Sequence, residues 1–288
     1  MISIIVCSVS PDKLSKLKAN VEATIGVEYE FVVVDNREGK YSICQAYNIG
    51  AQRAKYPYLC FAHEDIAFVV KYHWGELMMA QLAKPDTGVI GFAGATGKTK
   101  TLSTWVVTSE YVRSNFNEVV DGNTKIEQTN PHNEDFSQVI TLDGLCLFMR
   151  RQVWQENQFD SEMLTGFHLY DLDISVAVAQ KYKNYVCHKV LVEHFSKGAF
   201  SKKWMNESLK FHKKWQHQLP LYVDSDVPMA ENEKLVMRRM TYFLLKRKLL
   251  PKAKAGEMVK LCRRTFPWRV GSYYLWIRYL CYKKDASR

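Results

Sequence analysis

Between residues 2 and 94, short uninterrupted apolar runs alternate with segments of helical periodicity, and this alternation limits the fold more than any other feature. ISIIVCSV, YEFVVVD, YPYLCFA and TGVIGFAG are near-continuous apolar stretches of strand length. Runs without polar alternation suit strands buried on both faces, as in a parallel sheet covered by helices. The segments between them read as helices. Leu14, Leu17 and Val21 recur at helical spacing, Asp12 after Pro11 starts that helix, and Gly26 ends it. YSICQAYNIGAQRA supplies a second helix and Tyr72 to Leu82 a third. Strands joined through such helices make right-handed crossovers, so an α/β fold with a mostly parallel, Rossmann-like sheet is expected.

Sheets of this kind bind ligands outside the carboxyl ends of their strands. Here those ends are VCSVS, VVVDN and FAHED. The third is the most informative, because it delivers His63, Glu64 and Asp65 together. Adjacent charge at the end of an apolar strand is unfavourable unless water, a ligand or a cation compensates it. A divalent ion holding a diphosphate takes one or two carboxylates, and an imidazole beside them favours Mn2+ over Mg2+; an ordinary solvated loop is the alternative. Asp35, at the second strand end, suits hydrogen bonds to a base or ribose, or equally the cap of the turn DNREG. Further on, GFHLYDLDISV sets Asp171 and Asp173 at a loop-to-helix junction. A carboxylate there either favours the helix dipole or reaches a cleft as a general base. VEHFSKG offers His194, as a structural histidine or a ligand.

GFAGATGKTK, residues 91–100, looks superficially like a phosphate-binding loop. Its spacing is wrong, with five residues between Gly91 and Gly97 where four are needed, and the following TLSTWVVTS reads as extended chain. Residues 108–137 are polar and read as surface loops. Order returns at VITLDGLCLFMRRQVW, a strand leading into a helix.

The chain has 288 residues and a formal net charge of +10, unevenly placed. Between Lys234 and Lys284, fifteen Lys and Arg face a single acid, Glu257, while the body before them is mildly acidic. Basic residues interleaved with Trp, Tyr and Leu describe amphipathic helices of the kind that lie on anionic membranes. A helical subdomain packed on the body is the alternative. Without a recognisable module, nucleic acid is not an expected partner. No apolar run reaches membrane-spanning length, and MISIIVCSVS has no basic leader, so a signal peptide is not expected. Seven dispersed cysteines without CxxC spacing suggest free thiols in a reducing, cytoplasmic compartment. Two regions follow: a domain over residues 1–220 and a basic helical C-terminal region over 221–288.

Taken in order, VCSVS, VVVD, QAYNIGAQRAKYPYLCF into HED, DGLCLFMRR, GFHLYDLDIS and VEHFSKG resemble a nucleotide-sugar glycosyltransferase of the GT-A fold, in the large family 2 and its bacterial glycosyltransferase-like branch. The resemblance spans about residues 1–218. It implies transfer of a sugar, with inversion, from a UDP-sugar to a glycan or lipid-linked acceptor in polysaccharide synthesis. It puts His63 and Asp65 at the family's DXD metal motif, with His63 in the first acidic position. His194 resembles a late histidine near the diphosphate or metal, so Mn2+ or Mg2+ is the implied cofactor. Ser8, Val9, Asp35 and Glu64 fall with the donor nucleotide, and Asp143 and Gly144 under the donor sugar and acceptor. Asp171 falls at the catalytic base, with Tyr170 replacing the first acid of an acidic pair. Residues 94–98 then form a cleft wall. Because His63 and Tyr170 depart from the pattern, a GT-A-fold binding or scaffold protein is the alternative to an enzyme.

Overall fold

A computed structural model describes residues 1–70, 73–196, 198, 200–265 and 270–280, with side chains for all of these except 270–274. The first strands, β1 (Ile2–Ser8), β2 (Tyr29–Asp35) and β3 (Tyr58–Ala62), are mutually parallel, with β1 in the middle. Helix α1 (Pro11–Thr24) joins β1 to β2, and α2 (Ile43–Arg53) joins β2 to β3. The cap of α1 is Ser10, whose hydroxyl accepts the Lys13 amide at 3.5 Å, so the helix opens at Pro11 and not at Asp12. Helix α2 has a capping box: Ser42 Oγ accepts the Gln45 amide at 3.2 Å, and Gln45 Oε1 accepts the Ser42 amide at 2.9 Å. It then lies close on β1, because a Cβ at Gly50 would meet Ile5 Cγ2 at 2.3 Å. The absence of a side chain at 50 leaves that space to Ile5.

After β3 the chain turns through residues 63–65 into β4 (Ile66–Val69), which belongs to a second sheet. Helix α3 (Trp74–Leu82) leads to β5 (Thr87–Gly91); Tyr72, the expected helix start, lies outside the described residues. The run TGVIGFAG is not one strand. It breaks at the buried Phe92, and β6 (Ala93–Ala95) joins the second sheet, followed by β7 (Gly97–Lys98). Residues 99–108 form no helix or strand. The polar stretch beyond them is a hairpin, β8 (Val112–Val120) and β9 (Asn123–Thr129), and not loops. Its turn is Asp121-Gly122, both at positive φ, which Asp and Gly tolerate.

The remaining strands are β10 (Phe136–Val139), β11 (Thr141–Leu142), β12 (Cys146–Arg150), β13 (Lys183–Cys187), β14 (Leu191–His194) and β15 (Leu221–Tyr222). The main sheet runs β10-β13-β5-β12-β3-β1-β2, with β12 and β10 antiparallel to their neighbours. The second runs β11-β6-β8-β14-β4, with β9 on β8. Apolar residues on the two faces of the main sheet form two cores. One includes Tyr47, Phe61 and Phe159, with ring centroids 4.9–5.4 Å apart, so truncating Phe61 to Ala is expected to cost about 3–5 kcal/mol.

Helix α4 (Arg151–Glu156) follows β12, α5 (Tyr170–Ala179) precedes β13, and α6 (Lys202–Trp215) follows β14. Three more helices close the chain: α7 (Met229–Arg247), α8 (Lys252–Thr265) and α9 (Val270–Leu280). Their Val236, Met240, Leu244, Val259 and Leu275 are buried in the same core as the body. Phe243 packs edge-on against Phe200 at 4.8 Å, and Glu233 accepts the Thr101 amide at 2.9 Å. Tyr242, Leu261, Trp276, Ile277 and Leu280 stay outside. Among the described residues no helix is long and apolar enough to cross a membrane.

Candidate active site and metal centre

The carboxyl ends of β1 and β2 lie side by side, with Ser8 in register with Asp35. Just beyond β3, His63, Glu64 and Asp65 part company. The Glu64 carboxylate turns inward and is buried; it accepts the Ser8 hydroxyl at 2.7 Å and the Val9 and Ser10 amides at 3.2 and 3.1 Å. It thus fixes the shape of residues 8–10, leaving Ser8 buried behind an exposed Val9. The sequence grouped Glu64 with direct donor contacts, whereas the structure gives its carboxylate to the protein.

His63 and Asp65 meet His194 through sheet pairing. Strands β4 and β14 are antiparallel with His194 opposite Ile66, and the Phe195 amide donates to the Asp65 carbonyl at 2.9 Å. His194 Nε2 lies 3.5 Å and His63 Nδ1 4.0 Å from Asp65 Oδ1, and one donor atom from each residue lies within 4.8 Å of the others. The other Asp65 oxygen, Oδ2, accepts Lys13 Nζ at 3.1 Å. Burial alone would raise the Asp65 carboxyl pKa, but the hydrogen bond and charge of His194, with His63 and Lys13, hold it below the usual range. Burial, then the neighbouring His194, pushes the His63 imidazole below its ordinary value. Two imidazoles and a carboxylate clustered in this way fit a divalent transition metal better than Mg2+, which prefers oxygen ligands and water.

The connection from β11 to β12 supplies the floor. The Asp143 amide donates to the Ala93 carbonyl at 2.8 Å, and the His63 amide to the Leu145 carbonyl at 3.0 Å, so this turn is tied to both sheets. The Gly144 amide between them donates to Asp171 Oδ2 at 3.0 Å, and its carbonyl accepts the Tyr170 hydroxyl at 2.9 Å. Asp171 and Tyr170 both belong to the first turn of α5, which opens after Leu169 in the left-handed region. Burial, and next the Asp143 carboxylate, push the Asp171 carboxyl up to about 7 against the opposing pull of its amide donors. Asp173 plays a different part. Its buried carboxylate accepts Trp215 Nε1 at 2.7 Å and Lys214 Nζ at 2.9 Å, which ties α5 to α6.

Asp35 is exposed. It caps its turn through the Arg37 amide at 3.1 Å and pairs with the Arg37 guanidinium, whose hydrogen bonds lower its carboxyl pKa to about 2. Beside it the buried Asn36, missed in the sequence, orders the loop by bonding both backbone groups of Tyr41 at 2.9 Å. Lys13 was missed too, because a lysine in the first turn of a helix carries no sequence signal for a partner at residue 65.

The residues resembling a phosphate loop lie elsewhere. Gly94 pairs with Leu142 of β11, while Gly97 and Lys98 pair with β15. Lys98 is fully buried; its Nζ donates to Ser103 Oγ at 2.5 Å, lies 3.3 Å from His212 Nε2 and sits over the Phe211 ring. Desolvation lowers its pKa to about 7.

No curated protein matches the sequence. Among solved structures, that of GalNAc-T7 with UDP, GalNAc and Mn2+ matches with a TM-score of 0.50 and 13% identity, over 87% of this chain; the chain spans 58% of that protein. A197 from STIV is 12% identical over 68% of this chain and 86% of its own, with a TM-score of 0.39. Residues 3–219 match a family described as a glycosyltransferase-like family. The sheet order, the cluster at its carboxyl rim and this match agree, and the chain is a GT-A-fold member of the glycosyltransferase-like family.

Proposed function

We propose that this protein transfers a sugar from a nucleoside-diphosphate donor, UDP-linked in our reading, to a hydroxyl of a glycan or lipid-linked acceptor, with inversion and metal assistance. The observation that carries this is the linkage of Asp171 to the His63–Asp65–His194 cluster: Asp171 accepts the Gly144 amide, and the Tyr170 hydroxyl bridges the Gly144 carbonyl and His63. Asp171, with a pKa near neutrality, takes the acceptor hydroxyl proton as that oxygen attacks the anomeric carbon. The bond from that carbon to the diphosphate oxygen breaks on the opposite face, and its electron pair leaves with the nucleoside diphosphate. The Gly144 amide holds the carboxylate in place. Val9 and Asp35 line the nucleoside end, with Ser8 and Glu64 fixing the backbone behind Val9, and Asp143 and Gly144 lie under the sugar. Asp65 Oδ1, His63 and His194 would hold a divalent cation, Mn2+ in preference to Mg2+. When bound, such a cation neutralises charge growing on the leaving diphosphate. GalNAc-T7, of similar fold, was crystallised with UDP and Mn2+, which supports this reading.

The same proposal seats residues 1–220 as the transferase domain and residues 221–288 as a basic region that rests on the cytoplasmic face of an anionic membrane. Calorimetric titration of UDP with and without Mn2+, into wild type and Asp65→Asn, tests the site. UDP binding enhanced by Mn2+ in wild type alone is the expected result. Equal binding by both proteins, or none, removes the metal-assisted enzyme. His63 and Tyr170, standing where acids were expected, favour a second reading as a GT-A-fold scaffold. That reading is selected if UDP binds but no UDP-sugar is hydrolysed or transferred.

A further inference from the structure

The two residues that depart from the glycosyltransferase pattern are in contact: His63 Nε2 lies 2.7 Å from the Tyr170 hydroxyl oxygen. That oxygen is also 2.9 Å from the Gly144 carbonyl. A phenol has one proton, and a carbonyl can only accept. The Tyr170 O–H is therefore given to Gly144, and the hydroxyl oxygen accepts a proton from His63 Nε2. It follows that the neutral imidazole carries its proton on Nε2 and has a bare Nδ1, the atom 4.0 Å from Asp65 Oδ1.

We propose that Tyr170 is a positioning residue that sets the tautomer and orientation of His63, presenting Nδ1 to a divalent cation shared with Asp65 and His194. The inference rests on the metal-assisted reading above for its cation, but its tautomer claim stands without one. Residues behind metal-binding histidines commonly act in this way, by accepting the second ring N–H. Tyr170 is well built for it. Its ring is 4% exposed and packs 5.7 Å from Tyr47 and 6.2 Å from Phe159. Its hydroxyl occupies space that a side chain at 144 would take, since a Cβ there would come within 2.2 Å. A carboxylate in its place would also accept from His63, but it could not donate to the Gly144 carbonyl and would add negative charge beside Asp143 and Asp171. The histidine and the tyrosine are thus a matched pair, and each accounts for the other.

Nitrogen NMR of the histidine rings in mildly alkaline solution reads the tautomer directly in the metal-free protein. The expected result for His63 is a protonated Nε2 and a bare Nδ1 in wild type, and a mixture of tautomers in Tyr170→Phe. Wild-type protein with the proton on Nδ1 overturns the inference, whatever the variant does. Titration of Mn2+ in the presence of UDP gives the second arm. Tyr170→Phe keeps the ring packing and is expected to bind Mn2+ about 10–100-fold more weakly than wild type. Unchanged Mn2+ affinity in Tyr170→Phe, with affinity lost in Asp65→Asn, sinks the positioning role and leaves the metal site standing. Loss of neither sinks the metal site itself.

Discussion

Asp171 and Asp173 are two positions apart in one helix turn and have opposite fates. Asp173 is locked by Trp215 and Lys214, whereas Asp171 is held by two backbone amides, with no cation among its hydrogen-bond partners in the described residues. The rate of transfer is therefore expected to rise with pH as Asp171 ionises through about 7 and to level off above it. Asp171→Asn should abolish that limb and lower kcat about 10²–10⁴-fold, with UDP affinity little changed, as measured by a pH profile of kcat and by calorimetry. A flat profile in wild type argues against Asp171 as the base. The candidate acids and histidines were legible because strand ends and helix starts are marked in the sequence. Their individual roles were not, because the choice between Asp171 and Asp173 depends on what α6 brings against α5. The inward turn of Glu64 likewise depends on the curl of residues 8–10 around it.

At the scale of elements, β7 and its surroundings explain a lysine that looked like a phosphate ligand. Lys98 is enclosed by Phe211 and His212 of α6 and by Ser103 of the irregular segment. Its folded pKa, about 7, lies below the ordinary 10.5, so the unfolded chain binds the extra proton between these values. Stability should therefore rise as pH increases from about 7 toward 10.5. Lys98→Met should remove this slope and stabilise the fold at neutral pH by about 1–3 kcal/mol, since Ser103 Oγ keeps the Thr101 carbonyl and His212 Nε2 keeps the Ser103 amide. Thermal unfolding across that pH range checks it; an unchanged slope shows that Lys98 is not the titrating group. Elements with strong periodicity, such as β1, α1, β2 and α2, were readable from their own residues. The β8–β9 hairpin was missed although Asp121-Gly122 marks its turn, because its strands are mostly polar and one of them lies at the sheet edge. The break at Phe92 was missed because an apolar run does not reveal that two sheets share it.

For the molecule as a whole, the C-terminal helices share the core of the body. They bury one apolar face on the body and leave Trp276, Ile277 and Leu280 outward, the latter two each 56% exposed. Arg263 lies over the Trp276 ring at 5.1 Å, and Arg278 over Tyr242 at 5.4 Å. Each basic residue near an anionic surface adds about 1 kcal/mol of attraction. The full chain is thus expected to sediment with vesicles containing phosphatidylglycerol and not with neutral ones. A double change, Trp276→Glu with Ile277→Glu, should weaken this at least ~10-fold, given the cost of placing acids at the interface. Equal sedimentation of wild type with neutral vesicles rules out the electrostatic part of the proposal.

The candidate site is drawn from five separate stretches, residues 8, 63–65, 143–144, 170–171 and 194, which no local pattern unites. Two of these stretches meet at Gly144, whose amide goes to the Asp171 carboxylate and whose carbonyl accepts the Tyr170 hydroxyl. Inheritance acts on such a site as on a keystone. On the proposed reading, any change of letter at 144 in descendants of this chain reaches the base and the tyrosine beside His63 together, because a Cβ there would meet the Tyr170 hydroxyl at 2.2 Å and Asp171 Cβ at 3.0 Å.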